Sequence, residues 1–170
     1  FKVNATKGNL NNHIGLPLSV LSTEESDEVC VWEMGMSHAG EIAPLCDISA
    51  PDIGIITNIG TAHIEFLKTR EGIAEEKSAL ARALPERGTL IVPASCDFVD
   101  YLIKRTRAKV IVAGNCRGAV RAEDLRITDA GSAFKLCIDN QDEIAVELSV
   151  SGKHMVNNAL LAAAAGYALG

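Results

Sequence analysis

Short β-branched and apolar runs that stop at Gly, Asn or Pro alternate with helical periodicity along the first half of the chain. That alternation predicts parallel strands joined by crossover helices. Glu28-Val29-Cys30-Val31-Trp32 is nearly continuous in apolar character, as a strand covered on both faces would be, and it ends in Glu33-Met34-Gly35. Asp52 to Thr57 repeats the design between Pro51 and Asn58-Ile59-Gly60, and residues 88–93 and 108–114 supply two further strands. Between them, Ile42, Leu45, Cys46 and Ile48 have helical spacing after Gly40-Glu41, with Glu41 expected in a first turn at the positive end of the helix dipole. From Glu71 to Leu84, Ile73, Leu80 and Leu84 join several alanines in one apolar face, which Pro85 to Gly88 ends. Lys77 sits in the middle of that helix.

After Gly114 the period changes to two. Residues 124–128, 133–138 and 144–150 alternate apolar and polar side chains, with turns at Asp129-Ala130-Gly131 and Asp139-Asn140-Gln141-Asp142. These predict three antiparallel strands. Lys153 to Leu169 is alanine-rich and reads as a helix. The expected class is α/β, a mostly parallel sheet flanked by helices with a small antiparallel β subdomain. The expected division is 1–113 for the α/β part, 114–152 for the β subdomain and 153–170 for a helix returning to the first part. No internal repeat or low-complexity linker interrupts it.

A chain of 170 residues is the length of one domain and should bury roughly 70% of its unfolded surface. Apolar residues make up 48% and charged residues 22%, which excludes disorder and fibrous repeats. Lys and Arg total 16 against 22 Asp and Glu, a net charge of −6 with no basic run, so nucleic acid is a poor partner. Cys30, Cys46, Cys96, Cys116 and Cys137 are odd in number and widely spaced, without a C-x-x-C pair or zinc-site spacing, which fits a reducing, cytoplasmic compartment. The apolar run from Ala159 to Gly170 has 12 residues, too few for the roughly 20 that span a bilayer. The chain opens at Phe1 within sequence that already reads as folded, so it is expected to be a fragment.

In open α/β sheets, ligands sit beyond the carboxyl ends of the strands, and the polar residues of interest fall there. Glu33 follows one strand and Asn58 the next, with His63 five residues later in Thr57-Asn58-Ile59-Gly60-Thr61-Ala62-His63. A carboxylate and an imidazole on adjacent strand ends can share one Mg²⁺ or its water shell, and Asn58 can orient a phosphate or hydroxyl. Solvated loop positions explain the same residues equally well. Lys77 reads as a solvated lysine beside acids, or as a point charge or, once carbamylated by CO₂, an oxygen ligand near a metal. Thr6-Lys7-Gly8-Asn9-Leu10-Asn11-Asn12-His13-Ile14-Gly15-Leu16-Pro17 suits a polar ligand loop, and turn formation alone would also produce it. His154 and Asn158 share one face of the last helix and can reach a purine edge or phosphate, with helix capping as the plain alternative. Met34-Gly35-Met36 reads as packing near the strand end. No G-x-x-x-x-G-K-[ST], strand-borne G-x-G-x-x-G or G-x-S-x-G is present.

Residues 6–18, then Trp32-Glu33-Met34-Gly35-Met36-Ser37-His38-Ala39-Gly40-Glu41-Ile42, then residues 57–63, resemble in order the central ATPase domain of the Mur ligases. The resemblance continues through residues 71–77 and 152–160, essentially the whole chain. The G-N-L-N-N and E-M-G-M-x-H-x-G-E-I forms most resemble the branch of the family that joins D-Ala-D-Ala to UDP-N-acetylmuramoyl-tripeptide. It implies a peptidoglycan-precursor ligase that uses ATP and Mg²⁺ and forms an amide through an acyl phosphate. By motif match, Glu33 and His63 would be metal ligands and Lys77 the carbamylated position. Asn58, His154 and Asn158 would border ATP. Thr6, Asn9, Asn11 and Asn12 would face substrate or phosphates.

Met155 departs from the family pattern, where an asparagine stands, which leaves the adenine contacts there open. The family's phosphate loop and flanking domains lie outside this sequence, so the chain alone is expected to turn over negligibly and to bind nucleotide weakly. Two other readings stay open at this point: a sister ligase adding diaminopimelate or lysine, and a noncatalytic Mur-like binding module.

Overall fold

The computed structural model describes residues 1–115, 118–139 and 143–170. Cys116 and residues 140–142 of the expected second turn lie outside the described residues. The chain groups into two compact units, one of residues 1–51 and 60–83, the other of residues 52–59 and 84–170.

In the first unit, β1 (Val3–Ala5) pairs in parallel with β2 (Val29–Val31), Val3 opposite Val29 and Ala5 opposite Val31. β2 is the strand expected at 28–32, whereas β1 is too short to stand out by pattern. Helix α1 (Gly15–Leu21) lies where the sequence reads as loop. Its Pro17 sits in the first turn, where the missing N–H has no intrahelical partner to lose. Helix α2 (Ile42–Ser49) likewise carries Pro44 in its first turn and ends on Ala50 in the left-handed conformation, φ 44°, before Pro51. The short α3 (Ile64–Leu67) and the long α4 (Arg70–Ala83) follow. Leu16, Ile42, Leu45, Cys46 and Ala79 form the core of this unit, with Val20, Trp32, Met34, Met36 and Leu80 packed against it. Met34 and Met36 are thus packing residues, as their sequence setting suggests.

In the second unit, β3 (Ile53–Ile55), β4 (Thr89–Pro93), β5 (Lys109–Asn115), β6 (Val120–Thr128), β7 (Gly131–Ile138) and β8 (Ile144–Leu148) lie in that order in one six-stranded sheet. The first four run parallel, and β6, β7 and β8 pair antiparallel. The three strands expected from the period-two pattern are present. β6 begins earlier, at Val120, and bonds to β5, so these strands continue the sheet that β3 starts. A register shift between Glu123 and Arg126 breaks the β6–β7 ladder beside Asp124, whose φ of 53° is left-handed. A short α5 (Val99–Ile103) follows β4.

The last helix, α6 (Lys153–Leu169), packs on the sheet through Val156, Leu160, Leu161 and Ala164 against Ile91, Ile111, Ala113, Val120, Ala122 and Phe134. No helix is long and apolar enough to cross a membrane among the described residues. Because Leu160 is fully buried, Leu160→Ala should leave a cavity costing about 2–5 kcal/mol. Urea unfolding followed by far-UV circular dichroism should show a lower midpoint at an unchanged slope, and an unchanged midpoint would contradict this packing.

Candidate functional site

The residues singled out by sequence fall into two groups, one in each unit. In the first unit, the chain leaves β1 at Thr6, whose N–H donates to the Val31 carbonyl at 3.0 Å. The Thr6 hydroxyl then accepts the N–H of Glu33 at 2.9 Å, fixing the backbone just past β2. The Asn11 side-chain amide donates to Glu33 Oε1 at 2.7 Å, and the Gly35 N–H donates to the Asn11 carbonyl at 2.8 Å. A side chain on Gly35 would put its Cβ 2.9 Å from Asn11 Cγ and Nδ2, so glycine is what admits the amide. Glu33 itself is exposed.

Asn12 is occupied differently: its Oδ1 accepts the N–H groups of Ile14 at 3.1 Å and Gly15 at 2.9 Å, capping α1. The Asn9 side chain is exposed on the turn before it. The polar run at the amino end therefore does two jobs at once, positioning the region of Glu33 and starting a helix.

Residues 33–41 connect β2 to α2. Glu41 stands immediately before α2, not inside its first turn, and its carboxylate turns back to accept the N–H groups of Ser37 at 2.6 Å and His38 at 3.0 Å. The start of α2 is instead held by Glu76, which the sequence reading did not single out. Glu76 is buried on α4, and its Oε2 and Oε1 accept the N–H groups of Gly40 at 2.7 Å and Ile42 at 2.8 Å. The signal available was a glutamate one residue from Lys77 on the apolar side of a helix, a place acids rarely occupy without a partner. Burial, with the nearby charges of Asp47 and Glu76, pushes the Cys46 thiol up to about 11, so it is an inert core thiol. Cys30, Cys46, Cys96 and Cys137 are free cysteines.

His63 is exposed and takes the left-handed conformation, φ 62°, at the start of α3. A non-glycine residue there is uncommon and marks a locally constrained backbone. Nearby, the His38 ring packs on Phe66 with centroids 4.5 Å apart. Lys77 is half-buried in the middle of α4, next to Glu76.

Glu33 and His63 belong to no group of three mutually close His, Cys, Asp or Glu donors among the described residues. The group that meets that description is Glu123, Cys137 and Glu143 in the second unit. An exposed carboxylate such as that of Glu33 suits Mg²⁺, which takes one or two carboxylates and keeps several waters.

In the second unit, Asn58 is exposed just after β3, between the buried Ile56 and Ile59. His154 and Asn158 are exposed on the first turns of α6, while Val156 and Leu160 face the core. The His154 ring lies over Gly152, where an added Cβ would sit 2.7 Å from its Cε1.

The family model for the Mur ligase middle domain matches residues 1–166. The UDP-N-acetylmuramoyl-tripeptide--D-alanyl-D-alanine ligase of Bacillus subtilis is 38% identical over 166 residues, 98% of this chain and 35% of that protein. A crystal structure of MurF from Acinetobacter baumannii superposes with a TM-score of 0.92 at 33% identity, over 98% of this chain and 37% of that one. MurF ligase from Thermotoga maritima in complex with ADP superposes with a TM-score of 0.79 at 28% identity, over 98% and 39%. The chain spans about a third of the length of the curated relatives it matches.

The Ser37 N–H, then the His38 N–H, hold the Glu41 carboxyl below the ordinary glutamate range, outweighing partial desolvation. A depressed folded value means that Glu41 contributes its stability above the unfolded value and loses it as pH falls through the folded one. NMR titration of the Ser37 and His38 amides should therefore give a midpoint below the ordinary glutamate value, absent in Glu41→Gln. A midpoint at or above that value would contradict the geometry.

Proposed function

The chain belongs to the Mur ligase family, as its middle domain, and from that premise we propose that it is the ATP-using centre of a ligase that joins D-Ala-D-Ala to UDP-N-acetylmuramoyl-tripeptide. The observation that carries the reading is the likeness to ligases so named along nearly the whole chain, including the loop that bears Glu33. In this reading the γ-phosphoryl group of ATP passes to the terminal carboxylate of the tripeptide, giving ADP and an acyl phosphate. The amine of the dipeptide attacks the acyl carbon, phosphate leaves with the C–O bond electrons, the amine loses its proton and an amide remains.

Such a reaction needs little covalent help from protein and much positioning and charge stabilisation. Mg²⁺, when bound, would neutralise charge developing on the phosphate oxygens. Glu33 offers a carboxylate oxygen to it and His63 an imidazole nitrogen. Lys77, after its neutral amine adds CO₂ and releases a proton, presents a carbamate, an oxygen ligand where an ammonium would repel a cation.

In this reading Asn58, His154 and Asn158 would serve the nucleotide, their exposed polar groups suited to a purine or its phosphates. Met155 cannot replace an asparagine there, so adenine recognition rests on its neighbours. Thr6, Asn9 and Asn12 would serve the substrate or its phosphates in this reading, Asn9 with its side chain exposed and Thr6 and Asn12 through atoms beyond the bonds their oxygens already accept. This chain has no G-x-x-x-x-G-K-[ST] of its own.

The test is phosphate release by the full-length protein with Mg-ATP and UDP-N-acetylmuramoyl-tripeptide, with and without D-Ala-D-Ala. Release should require the dipeptide, and Glu33→Gln should lower turnover about 100-fold, the scale of losing one electrostatic stabiliser. Release with a single diamino acid instead would move the protein to a sister ligase. Silence with every amine would contradict a catalytic role.

A further inference from the structure

We infer that Asn11 is a positioning residue for the metal site, its side-chain amide holding one oxygen of Glu33 so that the other is presented to the cation. The inference rests on the reading of Glu33 as a metal ligand. It differs from the expectation that Asn11 meets phosphate or substrate directly.

Three observations converge on it. The Asn11 Nδ2 to Glu33 Oε1 bond, at 2.7 Å, is short and has a carboxylate acceptor, the kind of bond that is charge-assisted and about twice as strong as a neutral one. Glu33 Oε2 accepts no hydrogen bond among the described residues, so one oxygen is fixed and its partner is left for a ligand.

Both partners are also held by their own backbones. Asn11 accepts the Gly35 N–H at 2.8 Å through its carbonyl and donates its own N–H to Asn9 at 2.8 Å, and the Glu33 N–H is taken by the Thr6 hydroxyl. An amide whose backbone is pinned at both faces, reaching through the gap left by Gly35, can hold an exposed carboxylate in one orientation. A free glutamate at a loop surface would sample several rotamers and lose entropy on each binding event. The donor matters as well as the shape: an amide N–H supports an ionised carboxylate without competing for the metal as a ligand. Outer partners of this kind are worth about 10–100-fold in metal affinity or activity.

The experiment is Mn²⁺ binding to the full-length protein with ADP present, read from loss of the free-ion electron paramagnetic resonance signal. It is run on wild type, Asn11→Ala, Glu33→Gln and the double variant. Asn11→Ala should weaken Mn²⁺ binding about 10-fold, and the double variant should bind no more weakly than Glu33→Gln, because the amide acts through that carboxylate.

In turnover, the half-saturating Mg²⁺ concentration should rise by a similar factor while KM for D-Ala-D-Ala stays unchanged, a split that a general loss of fold would not produce. Asn11→Ser, too short to reach Glu33, gives the same test if the alanine variant does not accumulate. Wild-type Mn²⁺ affinity in Asn11→Ala, with affinity lost in Glu33→Gln, would overturn the role of Asn11 alone. Wild-type affinity in Glu33→Gln would overturn the metal reading of Glu33, and the inference with it. An added loss from Asn11→Ala on top of Glu33→Gln would overturn it too, placing Asn11 in contact with the ligand itself.

Discussion

A buried carboxylate holds the first unit together. Every helix begins with N–H groups that have no partner in the helix, and leaving one buried and unbonded costs about 1–3 kcal/mol. At the start of α2 those groups belong to residues in and beside the core, Ile42 among them. From α4, Glu76 accepts the N–H of Ile42 and that of Gly40 just ahead of the helix, tying α2 to α4 where Leu45, Cys46 and Ala79 pack together. The charge is tolerable because each of its oxygens is bonded; an unbonded carboxylate there would cost far more than the contact returns.

That clasp sets the far end of the segment from Glu33 to Glu41, and the near end is tied by Thr6 and Asn11. Glu41 ties the middle back to Ser37 and His38. A loop fastened at both ends and in between presents its outermost side chains in a defined place before any ligand arrives, which is where a site gains most over a mobile surface. The second unit reaches the same end by a different route. Val156, Leu160 and Leu161 commit one side of α6 to the sheet, and helical spacing then leaves His154 and Asn158 exposed.

Much of this was legible in the residues themselves. The apolar runs at 52–57, 88–93 and 108–114 are strands, and the alanine-rich stretch from Lys153 is the helix expected, because each has one strong period over a sufficient length. Residues 15–21 were not legible as a helix, since Gly15 and Pro17 are loop residues by propensity. Their helix is made by the Asn12 cap and the burial of Leu16. The exchange of roles between Glu41 and Glu76 shows the other limit. Both are acids near the start of α2, one in sequence and one only in space, and local pattern sees only the first. Glu33, His63 and Lys77 were put together only by resemblance, which says nothing of the hydrogen bond that Asn11 donates to Glu33.

Glu76 fastens the Glu33-bearing segment to α4. Native-state hydrogen exchange at Gly40 and Ile42, compared between wild type and Glu76→Ala, tests it most directly. Strong protection in the wild type that falls selectively at these two amides, with the core of α6 unchanged, is the predicted result. Exchange at Gly40 and Ile42 that is fast in the wild type, or unaltered by the substitution, would contradict it.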